Sequence, residues 1–169
     1  MKPQLFAPAF FAGLTLALGT LPVLTPPSQA QSMTYFCGEG KDGVPTTFAR
    51  NATGRKIEVI RWAKEWGGGI SRENRCKIVS ERFQSASEKG ILSYLTHGVM
   101  GGQKVVCAAS QYGAPCSDLL FTLRQEDDPR AVINALFGVG YRAKGPLSQT
   151  GDGETQIYID MDRLLQESL

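Results

Sequence analysis

The chain has 169 residues, one histidine, four cysteines and a formal net charge of +2. A near-neutral balance of 18 basic against 16 acidic side chains argues against a nucleic-acid binder, which gains affinity from a concentrated basic surface that releases counterions. No internal repeat or low-complexity tract follows residue 31, so one domain with a real core is expected there.

The first thirty residues read as a secretory signal. Lys2 is the only charge before an apolar run from Leu5 to Leu24, and Pro26-Pro27-Ser28-Gln29-Ala30 closes it, with Ser28 and Ala30 as the small residues of a cleavage site. Cleavage after Ala30 is expected, leaving residues 31–169 as the mature chain. The competing reading is an uncleaved membrane anchor, which Pro8, Gly13, Gly19 and Pro22 weaken. All four cysteines lie in the mature part, and an even count in an exported chain predicts two disulfides. Cys107 and Cys116 bracket a hairpin connection and are expected to pair, which leaves Cys37 to Cys76. The closed loops, of about 10 and about 40 residues, are worth roughly 2.7 and roughly 4 kcal/mol in the chain-entropy model.

In chain order, three β-prone runs come first: Thr34 to Cys37, Pro45 to Ala49, and Lys56 to Trp62, the last alternating charged and apolar residues. Asn51 to Gly54 makes the turn before the third. Asn51-Ala52-Thr53 is a formal glycosylation acceptor whose simplest role is that turn. After the Trp66-Gly67-Gly68-Gly69 link, Ser71 offers an N-cap for a helix reaching Lys89, with Gly90 as its stop and Cys76, Val79, Phe83 and Ala86 on its core face. Ile91 to His97 returns as a strand, and Met100-Gly101-Gly102 turns it. Val105 to Ser110 and Cys116 to Leu123 then form a hairpin around a Gly and Pro turn, expected at the sheet centre. Asp128 caps a helix with Pro129 at its first position, and Val132, Ile133, Leu136 and Phe137 form its buried side up to Gly138. Residues 143–154 read as a loop, Thr155 to Ile159 as a last strand, and Met161 to Glu167 as a terminal helix capped by Asp160. The expected fold is α+β: an antiparallel sheet of five to seven strands, one long helix, and short helices near the C-terminus.

Candidate chemistry is sparse. His97 is the one histidine, so a Ser-His-Asp arrangement must use it with Ser93 or Ser110, and no Gly-x-Ser-x-Gly elbow is present. Acidic residues gather late, at Asp127, Asp128, Asp152, Glu154, Asp160 and Asp162, in patterns that suit helix caps and a solvated loop rather than calcium or glycoside chemistry. No Cys-x-x-Cys spacing offers a zinc site, and neither metal nor cofactor is expected. Charge is distributed unevenly. Residues 50–89 hold ten basic side chains against five glutamates, while residues 124–169 hold five basic against eight acidic. Arg75, Arg82 and Lys89 recur every seven residues beside the core face of the first helix, and Trp62 and Trp66 flank this basic pole. Together they make a face suited to an anionic membrane surface or an exported protein partner.

The pieces Phe36-Cys37, Pro45-Thr46-Thr47, Val59-Ile60-x-Trp62, Arg75-Cys76-x-x-Val79-Ser80-x-Arg82-Phe83, Gly90 with Leu92, Val105-Val106-Cys107 and Leu120-Phe121-Thr122-Leu123 occur in an order that resembles the cyanobacterial circadian oscillating polypeptide family. They cover residues 36–123 and, more loosely, the helix from Asp128-Pro129. The resemblance implies an exported cyanobacterial protein held peripherally at a membrane, and it carries over no activity, cofactor or catalytic residue. The expected function is therefore that of an exported, non-enzymatic binding or structural protein of the periplasm, thylakoid lumen or extracellular space. The alternative is a small secreted hydrolase using His97 or the late carboxylates.

Overall fold

The computed structural model describes residues 33–65, 69–137 and 156–167. The expected signal segment, Trp66, Gly138, the loop over 143–154 with Asp152 and Glu154, and Thr155 lie outside the described residues. Among the described residues seven strands are antiparallel, as the sequence suggests, but they divide between two sheets. The first is a meander of β1 (Thr34–Glu39), β2 (Pro45–Arg50) and β3 (Lys56–Arg61), with Cys37 opposite Thr47 and Phe36 opposite Phe48. Between β2 and β3, Asn51 Oδ1 accepts from the backbone N–H groups of Thr53 and Arg55, at 3.1 and 2.9 Å, and Gly54 takes φ of 85°. The sequon asparagine is thus the turn's own acceptor.

Helix α1 (Arg72–Glu88) follows, then β4 (Tyr94–Met100), β5 (Gln103–Ala109), β6 (Asp118–Thr122), helix α2 (Pro129–Phe137), the short β7 (Ile159–Asp160) and helix α3 (Met161–Glu167). The second sheet has the order β6-β5-β4-β7. The central hairpin expected from Val105 to Leu123 therefore puts β5 inside the sheet and β6 at its edge. Gly101 and Gly102, both with positive φ, make the two-residue turn from β4 to β5. Of the last strand's expected residues only Ile159 is paired; β7 is Ile159–Asp160.

Local chemistry sets the helix ends. Ser71 Oγ accepts from Asn74 N–H at 3.3 Å, and the carboxyl of Glu73 in the first turn is held below its usual range by its own backbone N–H and by the Ser71 hydroxyl. At the other end Gly90, with φ of 68°, donates to Ser87, and Ile91 donates to Ala86, the two bonds of a Schellman stop. Asp128 Oδ1 accepts from Arg130 N–H and Asp160 Oδ1 from Arg163 N–H, so both expected caps are in place. On α2, Ile133 and Phe137 are buried while Val132 and Leu136 are only half-buried.

One contiguous core joins both sheets. Cys76, Val79, Phe83 and Ala86 of α1 pack with Tyr35, Ala49 and Ile60 of the first sheet and with Val106, Leu120 and Phe121 of the second. A buried hydroxyl organises the first-sheet side: Thr47 Oγ1 accepts from Trp62 Nε1 and from Ser80 Oγ, each at 3.0 Å. The alternation expected along β3 breaks there, because the register steps from Thr47–Ile60 to Phe48–Glu58 and leaves Val59 unpaired. The bulge lets Val59 and Ile60 both be buried.

Two measurements check this account. Thr47→Val keeps the shape but leaves two buried donors without an acceptor, so chemical denaturation should show a loss of about 2–4 kcal/mol. Tyr35 is buried, and burial, then the Asp162 carboxylate, hold its phenol above the usual value of about 10. Folded Tyr35 keeps its proton where the unfolded chain loses it, so this stabilisation is complete below about pH 10 and is lost as pH rises further. Unfolding free energy measured across alkaline pH should fall less steeply in Tyr35→Phe.

Candidate functional site

The cysteines pair as Cys37–Cys76 and Cys107–Cys116, so β1 is tied to α1 and β5 to the connection that precedes β6. Cys116 lies over β4 at Gly98, where a Cβ would come within 2.8 Å of its sulfur. These bonds fit an oxidising, non-cytoplasmic compartment. Among the described residues, no helix is long and apolar enough to cross a membrane.

The cations selected from the helical repeat do share one flank of α1, but that flank faces β6. Arg82 Nη1 donates to the Leu120 carbonyl at 3.0 Å. Leu120 is the residue passed over where the register steps from Cys107–Leu119 to Val106–Phe121, so the helix side chain bonds the bulge of an edge strand. Lys89 pairs with Asp118 at the start of β6, an exposed contact worth little stability. Arg75 is half-buried, and burial lowers the pKa of its guanidinium while the Glu65 charge opposes that shift.

Two parts of the expected face need correction. Trp62 is only 3% exposed; its indole N–H is taken by Thr47 and its ring meets Phe121 edge-on at 5.9 Å, so it is a core residue and not an interface anchor. The basic run of residues 50–89 is also split. Arg50 and Lys56 lie over the Phe36 ring, 4.9 and 5.8 Å from its centroid, on the side of the first sheet opposite α1. Arg61 faces Asp42 at 3.9 Å and Arg72 pairs with Glu65 at 2.9 Å.

What the fold assembles instead is a groove of about 310 Å³ between α1 and the end of β6. Ile70, Ile78, Phe121 and Leu123 supply apolar walls, and Arg75, Arg82 and Arg124 stand around them. Four large apolar side chains are exposed among the described residues, and two of them, Ile70 at 46% and Ile78 at 39%, line this groove. Arg124 is held by Asp127, which contributes two oxygens and keeps the guanidinium's pKa raised; the same bond holds the Asp127 carboxyl below its usual range. A sequence signal for the groove exists. Ile78 sits between Arg75 and Arg82 on the helix, and Ile70 stands just before the Ser71 cap with Arg75 where an apolar staple partner would be.

His97 is buried in β4. Its Nε2 accepts from Ile157 N–H at 3.4 Å and its carbonyl accepts from Gln156 Nε2 at 2.8 Å, while Thr96 Oγ1 donates to the Ile157 carbonyl. The histidine thus docks the C-terminal segment against β4. Of the late carboxylates, Asp127 binds Arg124, and Asp128 and Asp160 cap helices. Among the described residues no group of three or more His, Cys, Asp or Glu is placed to hold a metal ion.

The sequence model of the family described as Circadian oscillating protein COP23 matches residues 34–166. The chain belongs to the circadian oscillating protein family. No curated protein and no solved structure matches it. In this family member the matched span runs from the first residue of β1 into α3, so it takes in both sheets, the groove and both disulfides.

Arg82 and Lys89 look equivalent in the helical repeat, and their contacts predict different costs. Arg82→Ala leaves the part-buried Leu120 carbonyl at the β6 bulge without its donor and should lose about 1–3 kcal/mol in denaturant titration. Lys89→Ala should change stability by no more than about 0.5 kcal/mol.

Proposed function

We propose that the chain is an exported, non-enzymatic binding protein whose working surface is the groove between α1 and β6. The observation that carries this reading is the exposure of Ile70 and Ile78 beside Arg75, Arg82 and Arg124. Scattered apolar residues on a surface need no explanation, but two that share a concavity with three guanidiniums form a site with its own chemistry. Export rests on the apolar run from Leu5 to Leu24 ending at Ala30 and on the two disulfides, which suit the periplasm, thylakoid lumen or extracellular space. A non-enzymatic role is supported by the employment of His97, Asp127, Asp128 and Asp160 in docking, pairing and capping.

An anionic apolar dye such as anilinonaphthalene sulfonate probes such a groove directly. The mature protein should enhance its fluorescence, and Ile78→Asp and Arg75→Glu should each remove most of the enhancement while leaving far-UV circular dichroism unchanged. Val99→Asp is the control, since Val99 is 71% exposed but lies in the β4–β5 hairpin away from the groove. Equal enhancement by all four proteins would reject the groove as the binding surface.

A further inference from the structure

We propose that the groove seats a short acidic and aliphatic segment of a partner protein, an inference that rests on the binding role assigned above. The apolar walls and the arginines make complementary demands on the occupant. Ile70, Ile78 and Leu123 reward an aliphatic side chain. Any group entering must also desolvate the guanidiniums around it, and only carboxylates or comparable acceptors offset that cost.

The arginines are prepared for this. The bond from Arg82 Nη1 to Leu120 uses one of the five N–H groups of a guanidinium and fixes the direction of the rest. Arg124 is likewise oriented by Asp127. Side chains already held lose less freedom on binding, so an occupant gains more from each contact. Arg75 is half-buried and partly stripped of water, with the Glu65 charge near it, so an incoming carboxylate would meet a partly desolvated cation there.

Shape and charge favour a protein segment over a lipid bilayer. At about 310 Å³ the groove is at the small end of ligand sites, suited to one or two side chains. A flat anionic surface laid over it would also meet Glu65 and Glu126, which pair with Arg72 and Arg124 nearby, and would approach Glu81, exposed on α1. Like charges across an interface oppose contact. A narrow segment avoids Glu126 and Glu81 and meets Asp127 with both its oxygens already taken by Arg124, and Glu65 only beside Arg75. Arg50 and Lys56, further cations of the basic run, lie on the far side of the first sheet and add nothing to this face.

The test uses the mature protein and short fluorescein-labelled peptides composed of Glu and Leu, of Glu and Ser, and of Lys and Leu, together with phosphatidylglycerol vesicles. Fluorescence anisotropy should show the Glu–Leu peptide binding at least about tenfold more tightly than either other peptide, since each comparison removes one of two required contacts. Arg75→Glu and Ile78→Asp should each abolish that preference, Arg75→Lys should keep part of it, and raised salt should weaken it severalfold. A Glu–Leu peptide that binds no better than Glu–Ser, or as well to Arg75→Glu as to the parent, would overturn the inference. So would vesicle binding with the same Arg75 dependence in the absence of peptide binding, which would assign the groove to a lipid surface. If the dye still reports the groove while the peptide fails, only the acidic segment is rejected; if Ile78→Asp changes neither signal, the groove itself is rejected.

Discussion

The hydroxyl of Thr47 is the point on which the rest of the packing depends. It sits in the middle strand of the first sheet and accepts from Ser80 on α1 and from Trp62 just beyond β3. One oxygen thereby sets the height of the helix above the sheet and the angle at which the chain leaves β3. Trp62, once held, presents its ring to Phe121 of β6, and this edge-on contact is one of those that join the second sheet to the first. The Cys37–Cys76 bond acts on the same junction by a different route. Its worth, roughly 4 kcal/mol for a loop of this size, comes chiefly from restricting the unfolded chain, whereas each hydrogen bond to Thr47 contributes about 1 kcal/mol and selects one packing geometry among several. The disulfide makes the domain stable; the hydroxyl makes it unique.

Helix α1 then serves as the bridge between two sheets that share no backbone ladder among the described residues. On one flank Gln84 Oε1 accepts from Tyr35 N–H of β1 at 2.7 Å, and on the other Arg82 bonds the Leu120 carbonyl of β6. Polar side chains occupy these flanks because both strands carry backbone groups that the helix alone could not satisfy. The same arrangement explains the exposed apolar residues. Below Arg82 toward the helix start, the contact with β6 gives way, and among the described residues no strand covers Ile78 and Ile70.

Much of this was legible in the sequence where the signal is local. The caps at Ser71, Asp128 and Asp160, the stop at Gly90, the Gly101-Gly102 turn and the buried face of α1 each follow from residue types within a few positions, and each is where the spacing puts it. The cysteine pairing was legible because a hairpin connection brings Cys107 near Cys116 and leaves one partner for each remaining thiol. What escaped is tertiary. Alternation along β3 cannot reveal a bulge at Val59, and a hairpin of two apolar runs does not say which strand will lie at an edge. Trp62 looks amphipathic beside Arg61 and Lys64, yet its indole finds a buried acceptor fifteen residues away. The seven-residue recurrence of Arg75, Arg82 and Lys89 located their flank correctly, but only the position of β6 shows that two of the three are engaged by it.

The groove that results is better suited to selective than to general binding. An apolar patch without charge would attract any greasy surface, and one of arginines alone would attract any polyanion at low salt. Here the two are interleaved at a spacing of three and four residues on a single helix, Arg75, Ile78 and Arg82, so an occupant cannot reach one kind of contact without confronting the other. An aliphatic group lacking acceptors would strip water from guanidiniums and leave them unpaired; an acidic group lacking aliphatic partners would leave the isoleucines wet. Discrimination then comes from the penalty imposed on the wrong ligand as much as from the contacts offered to the right one. The bonds that already hold Arg82 and Arg124 sharpen this penalty, because guanidiniums fixed by Leu120 and Asp127 cannot swing away to stay hydrated.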